Sequence, residues 1–246
     1  MTGKPTPEAL SSVAWAALRG PHRALAQTVP GLTGPEVLAA RYPQDITPFA
    51  ALGDTDSAAA WDQLTFLVKP GDHAALIGEN LRPPGGWAVT REFRVAQFIG
   101  PEIVPVPDDQ LARPGDDLTE LTQNDVPEML ELVKLTQPGP FAARTIELGG
   151  YAGIRRAGQL VAMAGRRLQV PGWTEVSAVC THPDHRGRGL SRRLMNAVIG
   201  GIRDDGQLPF LHVIPANPAL SLYERLGFSH HLEATVYVLG QQAPGR

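Results

Sequence analysis

Cysteine is almost absent from the sequence, since Cys180 is the single one in 246 residues. A lone cysteine cannot form an internal disulfide and cannot build a metal site from several thiolates. Long apolar runs are missing as well, because no stretch approaches the roughly 20 residues that a membrane-spanning helix needs. Residues 1–12 are polar and lack the apolar core of a secretion signal. These absences predict a cytoplasmic protein with no membrane partner.

Charge is sparse, and neither sign dominates. The 22 Lys and Arg residues face 25 Asp and Glu residues, for a formal net charge of −3. No overall basic field therefore attracts nucleic acid. A local cluster of Arg186, Arg188, Arg192 and Arg193 keeps nucleic-acid binding open as an alternative. The acidic total and the lack of an aromatic platform argue against it, so we expect no nucleic-acid partner.

Hydrophobic residues make up 43% of the chain, which is ordinary for a globular protein. Proline, glycine and acidic residues gather at 105–109 and again at 113–117, which predicts a domain boundary near residue 112. We therefore expect an N-terminal domain of residues 1–112 and a C-terminal domain of residues 113–246. In the N-terminal half, the pattern predicts a helix over 8–19 and strands at 63–68, 87–95 and 97–106.

The C-terminal half alternates strands and helices more clearly. Strands are predicted at 118–122, 150–156, 159–168, 174–181, 209–214 and within 228–239. Helices are predicted after Asn124, over 190–203 and from Asn217 to Gly227. Alternation in the strand at 174–181 would place Val176, Ala178 and Cys180 on one face and Glu175, Ser177 and Val179 on the other. The order predicts an α/β fold around a mixed sheet, because a hairpin lies beside crossover connections.

Residues 182–191 join a predicted strand to a predicted helix and have the chemistry of an anion site. Gly187 and Gly189 let the backbone approach a ligand closely. Free N–H groups and the dipole at the start of the helix attract a phosphate. Arg186 and Arg188 add positive charge. The spacing is neither that of a Rossmann loop nor that of a Walker A loop, so a pyrophosphate site of another type is indicated.

The run Arg186-Gly187-Arg188-Gly189-Leu190-Ser191 resembles the acyl-CoA loop of the GNAT acyltransferase superfamily, R/Q-x-x-G-x-G/A, with Ser191 in place of the last Gly or Ala. Residues 217–228, which contain Leu-Tyr-Glu-Arg-Leu-Gly-Phe, resemble that family's late helix and the strand after it. The resemblance covers residues 118–239 and is closest to the FR47-like branch, which includes glycine N-acyltransferases. Some members of that branch carry a degenerate copy of the fold in front. The resemblance therefore implies that residues 1–112 form a degenerate GNAT-like domain without a phosphate loop.

The resemblance also implies a cofactor site. Its members are the loop residues Arg186, Gly187, Arg188, Gly189, Leu190 and Ser191 and the backbone of Val179, Cys180 and Thr181 beside the pantetheine arm. Those strand amides need a partner if the adjoining strands splay apart. Asn217 would cap its helix or contact the cofactor. The Cys180 side chain is interpreted as core. His182 and His185 lie three residues apart without a supporting carboxylate or cysteine cluster, so no metal is expected.

Two side chains are candidates for the chemistry of acyl transfer. Glu175 would act as the base that takes a proton from the amine, directly or through water. On a half-buried strand its carboxyl would have a raised pKa, although a salt-bridge role is the alternative. Tyr223 would protonate the departing thiolate, unless it only packs the helix.

The predicted function is transfer of an acyl group, acetyl in the first place, from acyl-CoA to an amine. The alternative is a non-catalytic CoA-binding or regulatory module on the same scaffold. The acceptor would be a small-molecule or peptide amine, selected by residues 134–144 and the N-terminal half. The sequence indicates no particular oligomeric state.

Overall fold

The computed structural model describes residues 6–101 and 115–242. These residues form five α-helices and ten strands. The helices are α1 (Val13–Arg19), α2 (Ala58–Leu67), α3 (Val126–Thr136), α4 (Leu190–Asp204) and α5 (Leu220–Arg225). The strands are β1 (Ala39–Arg41), β2 (Ala50–Leu52), β3 (His73–Gly78), β4 (Trp87–Ile99), β5 (Asp117–Leu121), β6 (Tyr151–Arg156), β7 (Gln159–Val170), β8 (Trp173–Thr181), β9 (Leu208–Val213) and β10 (Ser229–Gln241).

Eight of the strands form one sheet in the order β3-β10-β4-β9-β8-β7-β6-β5, and β1 and β2 form a separate antiparallel pair. The sheet is mixed, as predicted, because β8 and β9 run parallel while the other neighbours run antiparallel. β4, from the first half of the chain, lies between β9 and β10 from the second half. The sheet therefore continues across the two predicted domains. Their boundary near residue 112 lies outside the described residues, and the division stays a prediction.

Helices cover both faces of the sheet. Apolar residues of α4 and α5 pack with β6, β8 and β9 in one buried cluster, which includes Leu194, Ile154 and Val176. The opposite face carries α1 and α3, whose side chains pack with residues such as Phe210 and Met163. We call these the α4 face and the α1 face. Among the described residues, no helix has both the length and the apolarity to cross a membrane.

Most predicted elements of the C-terminal half are confirmed. The helix predicted over 190–203 is α4, and its stripe Leu190, Leu194, Val198 and Ile202 is buried. The hairpin is β6–β7, whose two turn residues, Ala157 and Gly158, have φ of 48° and 83°. Two left-handed residues are what a type I′ turn requires. This turn sets the pairing of β6 and β7 at their joined ends, where Arg156 lies opposite Gln159.

Several predictions for the N-terminal half differ from the structure. Residues 63–67 belong to α2 and Val68 is its C-cap, so the strand predicted at 63–68 is wrong. Ser57 caps α2 by accepting a hydrogen bond from Ala60 N, and Trp61 and Leu64 are buried one turn apart. Helical spacing therefore outweighed the strand-like composition. The α-helix predicted over 8–19 begins only at Val13, after a 3-10 turn. The strands predicted at 87–95 and 97–106 form one strand through Ile99, and residues 102–106 lie outside the described residues.

Candidate active site

The loop from β8 to α4 has the backbone that its glycines predict. Gly187 and Gly189 have φ of 73° and 81°, and Gly189 is the N-cap of α4. A side chain at either position would strain the backbone, since L-residues rarely adopt these angles. α4 has 15 residues, so its first N–H groups and its dipole are directed at the loop. The segment therefore has the geometry of an anion-binding turn.

A cleft of about 250 Å³ opens above this loop. Its lining residues are Thr181, His185, Arg186, Gly187, Arg188, Gly189, Leu190, Ser191, Arg192, Leu222 and Arg225. Four of them are arginines and none is acidic. Burial, and then the nearby charge of Arg188, lower the pKa of His185 below its ordinary value. A pyrophosphate fits a cleft of this charge and composition.

Ser191, at the last position of the loop motif, is held by a hydrogen bond to the strand before the loop. Ser191 Oγ lies 2.9 Å from Thr181 Oγ1, so the start of α4 is tied to the end of β8. Arg186 Nε donates to the backbone oxygen of Thr181 at 3.3 Å, and Arg188 Nη2 donates to that of Asp184 at 3.4 Å. The departure from Gly or Ala at this position therefore adds a contact within the loop and leaves the cleft open.

The strands β8 and β9 separate just before the loop. Their parallel pairing joins Trp173–Leu208, Thr174–Pro209 and Glu175–Phe210. Beyond these pairs β8 continues to Thr181 and β9 to Val213 without pairing to each other. Backbone groups on that edge of β8, around Val179, Cys180 and Thr181, thus lack a neighbouring strand. Such groups need a partner, and a ligand threaded between the strands would supply one.

A β-bulge in β8 corrects the predicted alternation. Ala178 has φ of 53°, and the pairing with β7 shifts register between Met163 and Gly165. Val176 faces the α4 face, whereas Ala178 and Cys180 pack on the α1 face with α3. The bulge adds one residue to one strand and reverses the faces beyond it. Cys180 is nevertheless core, as predicted, and burial raises the pKa of its thiol to about 11.

Glu175 is fully buried, and the raised pKa expected for it is wrong. Arg167 Nε donates to Glu175 Oε2 at 2.8 Å, and Arg167 Nη2 donates to Oε1 at 2.7 Å. Leu168 N also donates to Oε2, at 3.3 Å. Burial alone would raise the pKa of Glu175, but the buried guanidinium and these hydrogen bonds outweigh it. The pKa therefore lies well below its ordinary value, and Glu175 is ionised at neutral pH.

His212 is a site residue that the sequence analysis missed. Its Nδ1 lies 2.7 Å from Glu175 Oε1, and its Nε2 lies 3.0 Å from Gln97 Nε2. Because the carboxylate only accepts, Nδ1 donates to it and Nε2 accepts from the Gln97 amide. Alternation along β9 places His212 on the same face as Phe210, but only the observed pairing of Phe210 with Glu175 brings that face to the carboxylate.

The first half of the chain encloses this cluster on the α1 face. The Phe49 ring lies 5.0 Å from the Arg167 guanidinium carbon. His22 Nδ1 lies 2.8 Å from the Tyr42 hydroxyl, and both side chains are buried. Burial lowers the pKa of His22 to about 4, and burial together with the Glu175 charge raises the pKa of Tyr42 far above its ordinary value. Both side chains are therefore neutral hydrogen-bonding groups beside a charged pair.

Tyr223 lies on the α4 face, in the cluster that holds Val176 of β8 and Val213 of β9. Burial raises the pKa of its phenol to about 12, and no described residue hydrogen-bonds the hydroxyl. Asn217 Oδ1 accepts from Ala219 N at 2.9 Å, but α5 begins at Leu220 with Ala219 as its N-cap, so this contact forms a turn before the helix and is not the predicted cap. In the described part of the chain, no three His, Cys, Asp or Glu residues are placed to hold a metal.

Proteins of known family resemble this chain in sequence and in structure. The family model of FR47-like proteins matches residues 151–238. A GNAT-family protein from Novosphingobium aromaticivorans DSM 12444 is 35% identical, with 96% of this chain and 99% of that chain covered and a TM-score of 0.82. No curated protein matches the sequence.

Two more distant structures share the fold alone. A GCN5-related N-acetyltransferase from Kribbella flavida is 20% identical over 94% of this chain and 95% of its own, with a TM-score of 0.62. A tandem GNAT protein from the clavulanic acid biosynthesis pathway is 16% identical over 87% of this chain and 82% of its own, with a TM-score of 0.55. With the phosphate loop, the parted strands and the 35% identical relative all in agreement, the chain belongs to the GNAT superfamily, and its residues 151–238 match the FR47-like family model.

Proposed function

We propose that this protein is an N-acyltransferase that moves an acyl group, acetyl in the first place, from acyl-CoA to an amine in the cytoplasm. The observation that carries the proposal is the gap between β8 and β9, which opens beside the arginine-lined cleft at the start of α4. Family membership supports the same reaction class.

The donor would lie on the α4 side of the sheet. Its pyrophosphate would bind the N–H groups of residues 186–191 and the loop arginines, with Asn217 near the arm. Its pantetheine arm would lie along the free edge of β8, against the backbone of Val179, Cys180 and Thr181. This placement directs the thioester toward the last paired residues, Glu175 and Phe210.

The chemistry requires that the amine lose a proton and that the thiolate gain one. Tyr223 is proposed as the proton donor to sulfur, because its buried phenol stays protonated well above neutral pH. Glu175 takes part as a fixed negative charge in the reaction region. As a direct base it would first have to leave Arg167, so its low pKa argues for an indirect role.

Two measurements test the proposal. Isothermal titration calorimetry should show acetyl-CoA binding, and a mass-spectrometric screen should show an acetylated product. The panel should include free amino acids, small diamines, amine-bearing antibiotics and peptides with a free N-terminus. Tight binding without a product from any amine would contradict the enzyme and favour the non-catalytic CoA-binding module.

A further inference from the structure

The gap between β8 and β9 has a different polar group on each face. His212 and Glu175 lie on the α1 face, near the end of the β8–β9 pairing, and Tyr223 lies on the α4 face. The arginine-lined cleft opens at the start of α4. A donor bound there therefore enters from the α4 side, opposite His212 and Glu175.

A chain of hydrogen bonds runs from Arg167 through Glu175 to the His212 imidazole. Arg167 fixes the Glu175 carboxylate, and that carboxylate accepts from His212 Nδ1 at 2.7 Å. This leaves the lone pair of the neutral ring on Nε2, where it accepts from the Gln97 amide at 3.0 Å. The arrangement fixes both the tautomer and the orientation of the ring.

Gln97 supplies a second observation that points to proton uptake at His212. Its side chain is buried, its Nε2 also donates to the Leu10 backbone oxygen at 3.2 Å, and its Oε1 has no hydrogen-bond partner. A half-turn of the amide would bring Oε1 against a newly protonated Nε2. The amide must therefore turn away before the Nε2 lone pair can take a proton, and its Oε1 can then accept from the protonated ring.

We propose that His212 Nε2 is the base that takes the proton from the acceptor amine, and that Glu175 is the positioning residue that holds Nδ1–H. This inference rests on the proposed acyltransferase activity. The amine nitrogen attacks the thioester carbonyl carbon, and its proton passes to Nε2. The C–S bond then breaks, the thiolate takes a proton from Tyr223, and the products are the amide and the free CoA thiol. The imidazolium and the phenolate exchange their protons with solvent to close the cycle.

The charged and titratable groups that face His212 each keep one charge state around neutral pH. On β8 and β7, Glu175 stays ionised and Arg167 stays charged, because the pKa of each is shifted away from neutrality. From the first half of the chain, Tyr42 stays neutral, and the pKa of His22 is about 4. Tyr151 stays neutral as well, because burial raises its pKa above the usual range.

The decisive variant is His212→Gln, assayed with the amine identified by the product screen. We expect kcat to fall by about 100-fold or more, which is the usual contribution of a general base, with an unchanged KM for acetyl-CoA. The wild-type kcat/KM should decline at acid pH, and this acid limb should vanish in His212→Gln. His230→Gln is the matched control, because His230 also contacts a glutamate, Glu233, at 3.1 Å but is exposed on β10. It should keep the wild-type rate and profile.

The positioning role of Glu175 has its own readout. Glu175→Gln keeps an acceptor for Nδ1–H but removes the charge that favours the imidazolium, so the acid limb should move to lower pH. A purely structural glutamate would leave the limb in place. Circular dichroism confirms that each variant is folded, and His212→Gln decides the base role even if Glu175→Gln unfolds.

The outcomes separate the two proposals. Product formation with an unchanged acid limb in His212→Gln would overturn the base role and leave the acyltransferase in place. Absence of product from every amine tested with the wild-type protein would end the proposed function and the base role together.

Discussion

The guanidinium of Arg167 and the carboxylate of Glu175 form a buried bidentate ion pair, with N–O distances of 2.7 and 2.8 Å. Buried pairs of this kind contribute little net stability, but loss of one partner leaves a buried charge. Arg167→Met should therefore lower the free energy of unfolding by about 3–5 kcal/mol. The double variant Arg167→Met/Glu175→Leu should recover a large part of the loss in urea titrations. Additive losses in the double variant would contradict the pairing.

Gly189 tests the phosphate loop. Gly189→Glu places a carboxylate and a strained backbone at the start of α4, where the proposed pyrophosphate binds. We expect the Kd for acetyl-CoA to rise by at least about tenfold, equivalent to 1.4 kcal/mol, in isothermal titration calorimetry. Gly206→Glu is the matched control, because Gly206 follows the other end of α4 with a similar φ of 72° and open space for a side chain. Equal loss of binding in both variants would attribute the effect to backbone strain.

Tyr223 tests the proton donor. Tyr223→Phe removes only the hydroxyl, so kcat should fall by about 100-fold while the KM for acetyl-CoA stays the same. Stability should hardly change, because no described residue hydrogen-bonds that hydroxyl. Tyr237→Phe is a suitable control, since Tyr237 on β10 is equally buried and packs near Trp61 and Trp87. A wild-type kcat in Tyr223→Phe would remove this residue from the mechanism.

The buried His22 should make the free energy of unfolding depend on pH. Its pKa of about 4 in the folded protein lies below the ordinary value of 6.5. Between these values the unfolded chain binds a proton that the folded protein does not, so stability falls as the pH drops from 6.5 to 4. Linkage gives a loss on the order of 3 kcal/mol from this residue. Denaturant titrations at several pH values should show a smaller decline for His22→Gln. Parallel curves for the two proteins would contradict the buried neutral imidazole.

The C-terminal half was largely predictable because its signals are local. The period of α4, the two-residue turn at Ala157 and Gly158, and the glycines of the phosphate loop each depend on a few neighbouring residues. The acyl-CoA assignment gained further weight from the resemblance of residues 217–228.

The remaining features depend on distant parts of the chain. The bulge at Ala178 is invisible to a two-residue period, so the strand faces beyond it were predicted in reverse. The low pKa of Glu175 arises from Arg167 on another strand, whose charge and hydrogen bonds outweigh the burial that would raise it. His212 became a candidate only once its distance to Glu175 was known. The position of β4 between β9 and β10 likewise has no local signature.

That position of β4 has a consequence for biosynthesis. On a translating ribosome β4 emerges long before β9 and β10, the two strands that flank it, and β3 pairs with β10 alone among the eight strands. Pairs such as Trp87–Gln241 join residues far apart in the sequence, and contacts of this kind form slowly. β3 and β4 therefore lack their final partners until the C-terminal strands are made, and side chains buried in the folded protein, such as Leu76 and Val95, stay exposed until then.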